Sequence, residues 1–256
     1  MTVSNEPIDD LVKMSSAPKV EKLIFGVDSK VRASAVLQNN LTEFEWVKRN
    51  KLYPAFWGRN IVGENALDQE EIDFLHYVGT QIALIYIASD KNTSEEQARI
   101  EAEKAINRAR ELEIPRGMAI FLDISEPNDI PYEYMRTYAR TLLENGYTPG
   151  FKANTDAAVR FDYEFSRGTQ NDNALFSQCL VWAVTPQLKE YHRITTSHAI
   201  RPDNWQPYAP SGITRRDIAI WQYGKNCHPI EDDNEHETTF NVDLIRNLDI
   251  LLDKIF

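Results

Sequence analysis

Short apolar runs alternate with segments of helical spacing along almost the whole chain. Runs this short and this apolar read as buried parallel strands, and their alternation with helices is the pattern of βα units rather than of a sandwich. The strands expected are Lys22–Asp28, Tyr53–Trp57, Gln81–Ile87, the run ending at Asp123, Thr148–Asn154, Leu180–Val184, Arg193–His198 and Asp217–Tyr223. The seventh is the least regular.

Helices are expected between them. Leu41–Arg49 opens with Thr42 and Glu45 as a capping box, and Asp68–Tyr77 has Glu71 at the same offset. Thr93–Leu112 ends just before Pro115, and Tyr132–Glu144 stops at Asn145-Gly146. Val242–Ile255 reads as a closing helix, and the polar stretch Asp162–Asn173 as a long loop. Eight strands in 256 residues fit a single α/β domain, a (β/α)8 TIM-type barrel, which typically needs roughly 250 residues. The barrel is placed at residues 21–256, behind a flexible N-terminal arm at 1–20; no repeat or composition break suggests a second domain.

A composition of 42% hydrophobic and 26% charged residues supplies a core without disulfides. The arm has no apolar stretch long enough for a signal peptide, and no run approaches the roughly twenty apolar residues that span a bilayer. The expectation is a soluble protein, cytoplasmic as synthesised, with no membrane insertion. Cys179 and Cys227 match no metal-ligand spacing and read as reduced thiols. A net charge of -11 without a basic stripe argues against nucleic acid as a partner.

In a barrel of this kind, chemistry belongs at the C-terminal ends of the strands. Those ends carry Asp28, Trp57, Tyr86, Asp123, Glu126, Asn154, Trp182, His198 and Gln222. Acids for proton transfer, flat aromatic faces for pyranose rings and amides for hydroxyls have the character of a sugar site. Each has a plainer reading: the tryptophans as core, Asp28 as a helix cap or a brace of the barrel mouth, and Glu126, just before Pro127, as a solvated loop acid. Asp123 fits that plainer reading least, because an acid closing an apolar central strand costs desolvation.

No metal is expected, since the histidines form no ligand motif, and the acidic stretch Glu231–Glu237 lacks the glycine and spacing of a calcium loop. There is no GxSxG elbow, Walker A sequence or GxGxxG, and no cofactor is expected.

Taken in order, Phe25-Gly26-Val27-Asp28, Ala55 to Ile61 with Arg59, Ala66 to Ile72 and Ile114-Pro115-Arg116-Gly117 resemble segments of the family 25 glycoside hydrolases, lysozymes that cut peptidoglycan. They resemble still more closely the family's glycoside-hydrolase-like bacterial relatives. Asn145 to Phe151, Leu180 to Ala183, Ile220 to Tyr223 and Asn241 to Leu244 continue the likeness, which covers about residues 23 to 247.

The resemblance implies a carbohydrate-cleaving barrel with acids at Asp28, Asp123 and Asp243. It also shows a departure. The family's fourth strand ends Asp-x-Glu, whereas here Ser125 holds the glutamate position and Glu126 comes one residue late. On a strand, that displacement turns a side chain to the opposite face unless the chain bulges or has left strand geometry.

Two functions therefore stand open. One is a glycoside hydrolase acting on peptidoglycan or a related amino sugar polymer, with catalytic Asp28, Asp123 and Glu126. Its substrate would be bound by Trp57, Arg59, Tyr86, Asn154, Trp182, His198, Gln222 and Asp243. The other is a non-catalytic carbohydrate-binding or scaffold barrel that has lost its glutamate, with the N-terminal arm docking a protein partner. The net negative charge weighs against an anionic wall polymer, and a wall-cleaving enzyme without a signal peptide needs a dedicated export machine or release by lysis.

Overall fold

A computed structural model of the chain describes residues 23–37, 40–49, 52–88, 93–124, 130–157, 159–188, 193–194, 205–229, 239–246, 251 and 253–256. The N-terminal arm, Ser125, Glu126, His198 and the acidic stretch 231–237 lie outside the described residues. The elements run β1 (Ile24–Asp28), α1 (Glu43–Arg49), β2 (Phe56–Asn60), α2 (Gln69–Tyr77), β3 (Gln81–Ile87), α3 (Glu95–Glu111), β4 (Ala119–Asp123) and α4 (Tyr132–Glu144). They continue with β5 (Thr148–Ala153), α5 (Arg160–Asn171), α6 (Asn173–Phe176), β6 (Leu180–Val184), β7 (Arg193–Ile194), β8 (Ile218–Pro229) and β9 (Phe240–Ile245).

Strands β1 to β6 lie side by side in parallel, β8 pairs parallel with β6, and β9 pairs antiparallel with both β8 and β1. The result is a closed eight-stranded barrel of the (β/α)8 kind. Strand β7 is not part of its wall: among the described residues its two residues pair with the far end of β8, Arg193 opposite His228.

Several expected elements differ. The closing helix begins instead as β9, because Val242 and Leu244 face the outer core while Asp243 and Ile245 face the lumen, a period of two. The expected loop at Asp162–Asn173 lies almost wholly within α5, whose Phe161, Phe165 and Gly168 form a buried stripe at helical spacing. Strand β2 is displaced towards the C-terminus and carries Arg59, fully buried.

The expected caps hold. Thr42 N donates to Glu45 Oε2 at 2.9 Å and Glu45 N to Thr42 Oγ1 at 3.1 Å, a reciprocal capping box. At α2, Asp68 accepts from Glu71 N at 3.0 Å. Glu71 does not reciprocate but turns inward, accepting from Ala33 N at 2.7 Å and pairing with Arg59 at 2.8 Å.

Two cores result. Phe56, Ile85, Phe121, Trp182, Ile220 and Ile245 fill the lumen, while the larger core lies between strands and helices. Bulky lumen side chains are accommodated by bare backbone opposite them. A Cβ on Gly58 would stand 2.8 Å from Trp182 Cη2, and one on Gly150 would stand 2.4 Å from Phe121 Cδ1. At the N-terminal end of the barrel the chain terminus forms a plug, with Leu251 and Ile255 in the lumen core. Ala119 N donates to Lys254 O at 2.7 Å, and Phe256 N donates to Ile82 O at 2.9 Å.

Both cysteines are free thiols, and burial pushes the Cys227 thiol up to about 12. Among the described residues, no helix is long and apolar enough to cross a membrane.

Candidate functional site

The strand alternation that builds the lumen core continues to its C-terminal mouth and there changes from apolar to charged. On β1 the inward series Ile24, Gly26 ends at Asp28; on β4 the series Ala119, Phe121 ends at Asp123. Lys152 follows Gly150 on β5 and stands beside Asp123 in register. Gln222 on β8 stands beside Asp243 on β9, and Asn241 stands beside Asp28. The mouth is therefore the last inward layer of the barrel, and its floor is the ring of Trp182.

Lys152 organises this layer. Counting around the closed ring of eight strands, β5 stands diametrically opposite β1, so the lysine crosses the lumen. Its Nζ lies 2.9 Å from Asp28 Oδ2, 3.6 Å from Asp123 Oδ2 and 4.7 Å from the centre of the Trp182 ring. Burial favours the neutral amine, but Asp28, Asp123 and Asp243 outweigh it and hold the Lys152 pKa above the ordinary lysine value.

Asp28 Oδ1 accepts from Asn241 Nδ2 at 2.8 Å, and Asp243 Oδ1 accepts from Trp182 Nε1 at 2.9 Å. Burial, reinforced by the Asp28 carboxylate and a hydrogen bond to it, pushes the Asp243 pKa well up; Lys152 and the Trp182 N–H pull it partly back. Asp243 is thus held towards its acid form, able to donate a proton to Asp28. Exposure separates the acids: Asp243 is fully buried, the Asp28 side chain is 8% exposed and that of Asp123 19%. Asp123, flanked by the half-exposed Ile87, is the most reachable of the three.

Behind Asp28 a second buried network fixes the start of the following loop. Arg59 donates to Ser29 O and to Asn65 O, each at 2.6 Å, while pairing with Glu71. Ser29 Oγ donates to Glu43 Oε1 at 2.7 Å. Burial pushes Glu43 up to about 8, against the opposing pull of Ser29 and Arg59 and with the help of Glu71 and Asp28.

The mouth gathers Asp28, Asp123, Gln222 and Asp243 from the sequence-predicted set, with Trp182 as its floor. Trp182 offers no open sugar platform: it is fully buried, edge-on to Phe121 at 5.3 Å and to Phe56 at 6.4 Å. Asn154 lies just past β5, its Oδ1 accepting from Asp156 N at 2.9 Å. Gln222 is buried, and its Oε1 has no hydrogen-bond partner among the described residues.

Trp57, Arg59 and Tyr86 stand at the second and fourth positions of β2 and the sixth of β3, out of phase with the lumen-facing Phe56, Ala83 and Ile85, and point away from the lumen into the outer core. Trp57 packs on Phe44 at 5.8 Å and Tyr86 on Tyr138 at 6.4 Å; burial, then Glu101, pushes the Tyr86 phenol up to about 12. Neither Lys152 nor Asn241 is among the site residues expected from the sequence. The signal available was register: Lys152 is two residues past the lumen-facing Gly150, and Asn241 two before Asp243.

A family model described as Rv2525c-like, glycoside hydrolase-like domain matches residues 40–244. The chain belongs to that family. The matched stretch begins after β1, so Asp28 lies outside it while Asp123, Lys152 and Asp243 lie within.

An uncharacterized protein of B. stearothermophilus is similar to this family member, with 25% identity and a TM-score of 0.71 over 91% of this chain and 100% of that one. The CTP1L endolysin is 14% identical, with a TM-score of 0.51 over 90% of this chain and 69% of that one. GHIP, a glycosyl hydrolase 25 of Streptococcus pneumoniae described as participating in host cell invasion, is 12% identical, with a TM-score of 0.50 over 87% and 88%. The last two likenesses show a shared fold. No curated protein matches the chain.

Proposed function

We propose that this barrel is a glycosidase of peptidoglycan or a related amino sugar polymer, working by carboxylate acid/base catalysis. The observation that carries the reading is the placement of Asp123 at the C-terminal mouth, on the lumen face and partly exposed, above a polar layer of Asp28, Lys152 and Asp243. An acid so placed opposes the positive charge that grows on the anomeric carbon as the glycosidic bond breaks.

In this scheme Glu126 donates its proton to the leaving oxygen. Water then forms the new bond to the anomeric carbon and returns a proton to Glu126, with the substrate's acetamido group assisting. Asp28 and Asp243 act from beneath, through hydrogen bonds rather than by touching sugar. Gln222, Asn154 and His198 are assigned to substrate hydroxyl and amide groups, while Trp57, Arg59, Tyr86 and Trp182 are assigned to the wall. The test is release of reducing ends from purified cell walls by the wild type and its absence in Glu126→Gln.

A second reading is a carbohydrate-binding barrel without turnover. One observation favours it: the Lys152 ammonium offsets part of the negative charge that a cationic transition state needs. Glycan binding with no reducing ends released would support that reading. Binding of neither kind would favour a scaffold role, with the N-terminal arm as the docking element and delivery by export or lysis still to be assigned.

A further inference from the structure

One buried ammonium has three partners within the mouth: the carboxylates of Asp28 and Asp123 and the face of Trp182. Burying an ammonium is costly unless it is well paired, and a methionine could fill the same space without that cost. A lysine here therefore needs a reason beyond filling the lumen.

We propose that Lys152 is a positioning residue: reaching across the lumen from β5, it is anchored on Asp28 of β1 and from there fixes the place of Asp123, the carboxylate that substrate can reach. The distances carry the assignment. At 2.9 Å the contact with Asp28 is a close ion pair, whereas that with Asp123 is a longer one at 3.6 Å. Asp28 locks the ammonium, and the locked ammonium orients Asp123.

The second carboxylate also solves an electrostatic problem. A lone ammonium this close to a forming oxocarbenium would raise the barrel's barrier to hydrolysis. Two carboxylates around one ammonium leave the mouth negative while still fixing its geometry. Asp28 is thereby a counter-ion to the lysine, which explains its burial.

The inference rests on the hydrolase reading for its catalytic consequence but not for its geometry, so two arms test it. In the first, lysine Nζ groups are followed by 15N NMR. Lys152 should give one ammonium signal protected from proton exchange. In Asp123→Asn, which alters the most solvent-reachable partner and is expected to fold, that signal should shift and exchange about tenfold faster or more. An unchanged signal overturns the proposal.

In the second, Lys152→Met should lower kcat on cell-wall polymer at least about tenfold with KM within about threefold, and Lys152→Arg should recover part of the loss. Wild-type kcat in a folded Lys152→Met overturns the positioning role. If the wild type releases no reducing ends, the hydrolase reading fails and the NMR arm alone decides whether Lys152 holds Asp123.

Discussion

Lys152 and Asp28 come from strands on opposite sides of the barrel and meet inside it, Nζ to Oδ2 at 2.9 Å, with both side chains nearly inaccessible. Removing one partner leaves a buried charge uncompensated, a loss of about 3 to 5 kcal/mol. Lys152→Met should therefore lower unfolding stability in urea by that order. Adding Asp28→Asn should cost less than the sum of the single changes, with a coupling of about 1 to 3 kcal/mol. Strict additivity would mean that the pair does not tie the two walls together.

Glu43 predicts a pH dependence with a definite sign. Its pKa is about 8 in the folded chain against an ordinary 4.5, so between those values the folded state holds a proton that the unfolded state has released. Stability should fall as pH rises from about 4.5 to about 8, and buried Asp243 pushes in the same direction. Glu43→Gln should flatten the slope and melt higher than wild type at pH 8. Parallel melting curves for the two proteins across this range would contradict the buried-acid account.

Gly150 should not tolerate a side chain. A Cβ would stand 2.4 Å from the Phe121 ring, which is itself pinned edge-on against Trp182 at 5.3 Å. Overpacking of this kind costs typically about 1 to 3 kcal/mol, so Gly150→Ala should shift the urea midpoint downward without changing the slope of the transition. A midpoint equal to wild type would show that the lumen packing is loose.

The C-terminal plug should contribute to stability although it lies far from the mouth. Ile255 is buried in the lumen core, and Lys254 O and Phe256 O accept from Ala119 N and Ile82 N near the starts of β4 and β3. Ile255→Ala is expected to cost about 2 to 5 kcal/mol, read by thermal or urea unfolding. A loss well under one kcal/mol would place the plug outside the cooperative core.

The barrel was legible because most of its strands are apolar on both faces, the signature of a parallel sheet. Gln81–Ile87 and Leu180–Val184 were placed to the residue. What misled was polarity compensated in three dimensions. Arg59 reads as a strand's end but sits inside β2, because Glu71 and two carbonyls satisfy it. α5 looked like a loop because its polar face dominates its composition, while its apolar stripe is narrow.

In β9, the apolar residues around Val242 and Leu244 fit a helical period as well as the strand period, and only pairing with β1 and β8 decides between them. The charged mouth was half legible: strand-end position singles out Asp28 and Asp123. Lys152 was hidden because a lysine near a strand's end ordinarily reaches water, and its three carboxylate neighbours come from elsewhere in the chain.

On the proposed reading, Asp123 and Glu126 cut a glycosidic bond. The most direct measurement is the release of reducing ends from purified peptidoglycan by the wild type, Asp123→Asn and Glu126→Gln, all shown to be folded. The account predicts release by the wild type and a loss of at least about a hundredfold in each variant. Undiminished release by Glu126→Gln, or none from the wild type, would contradict it.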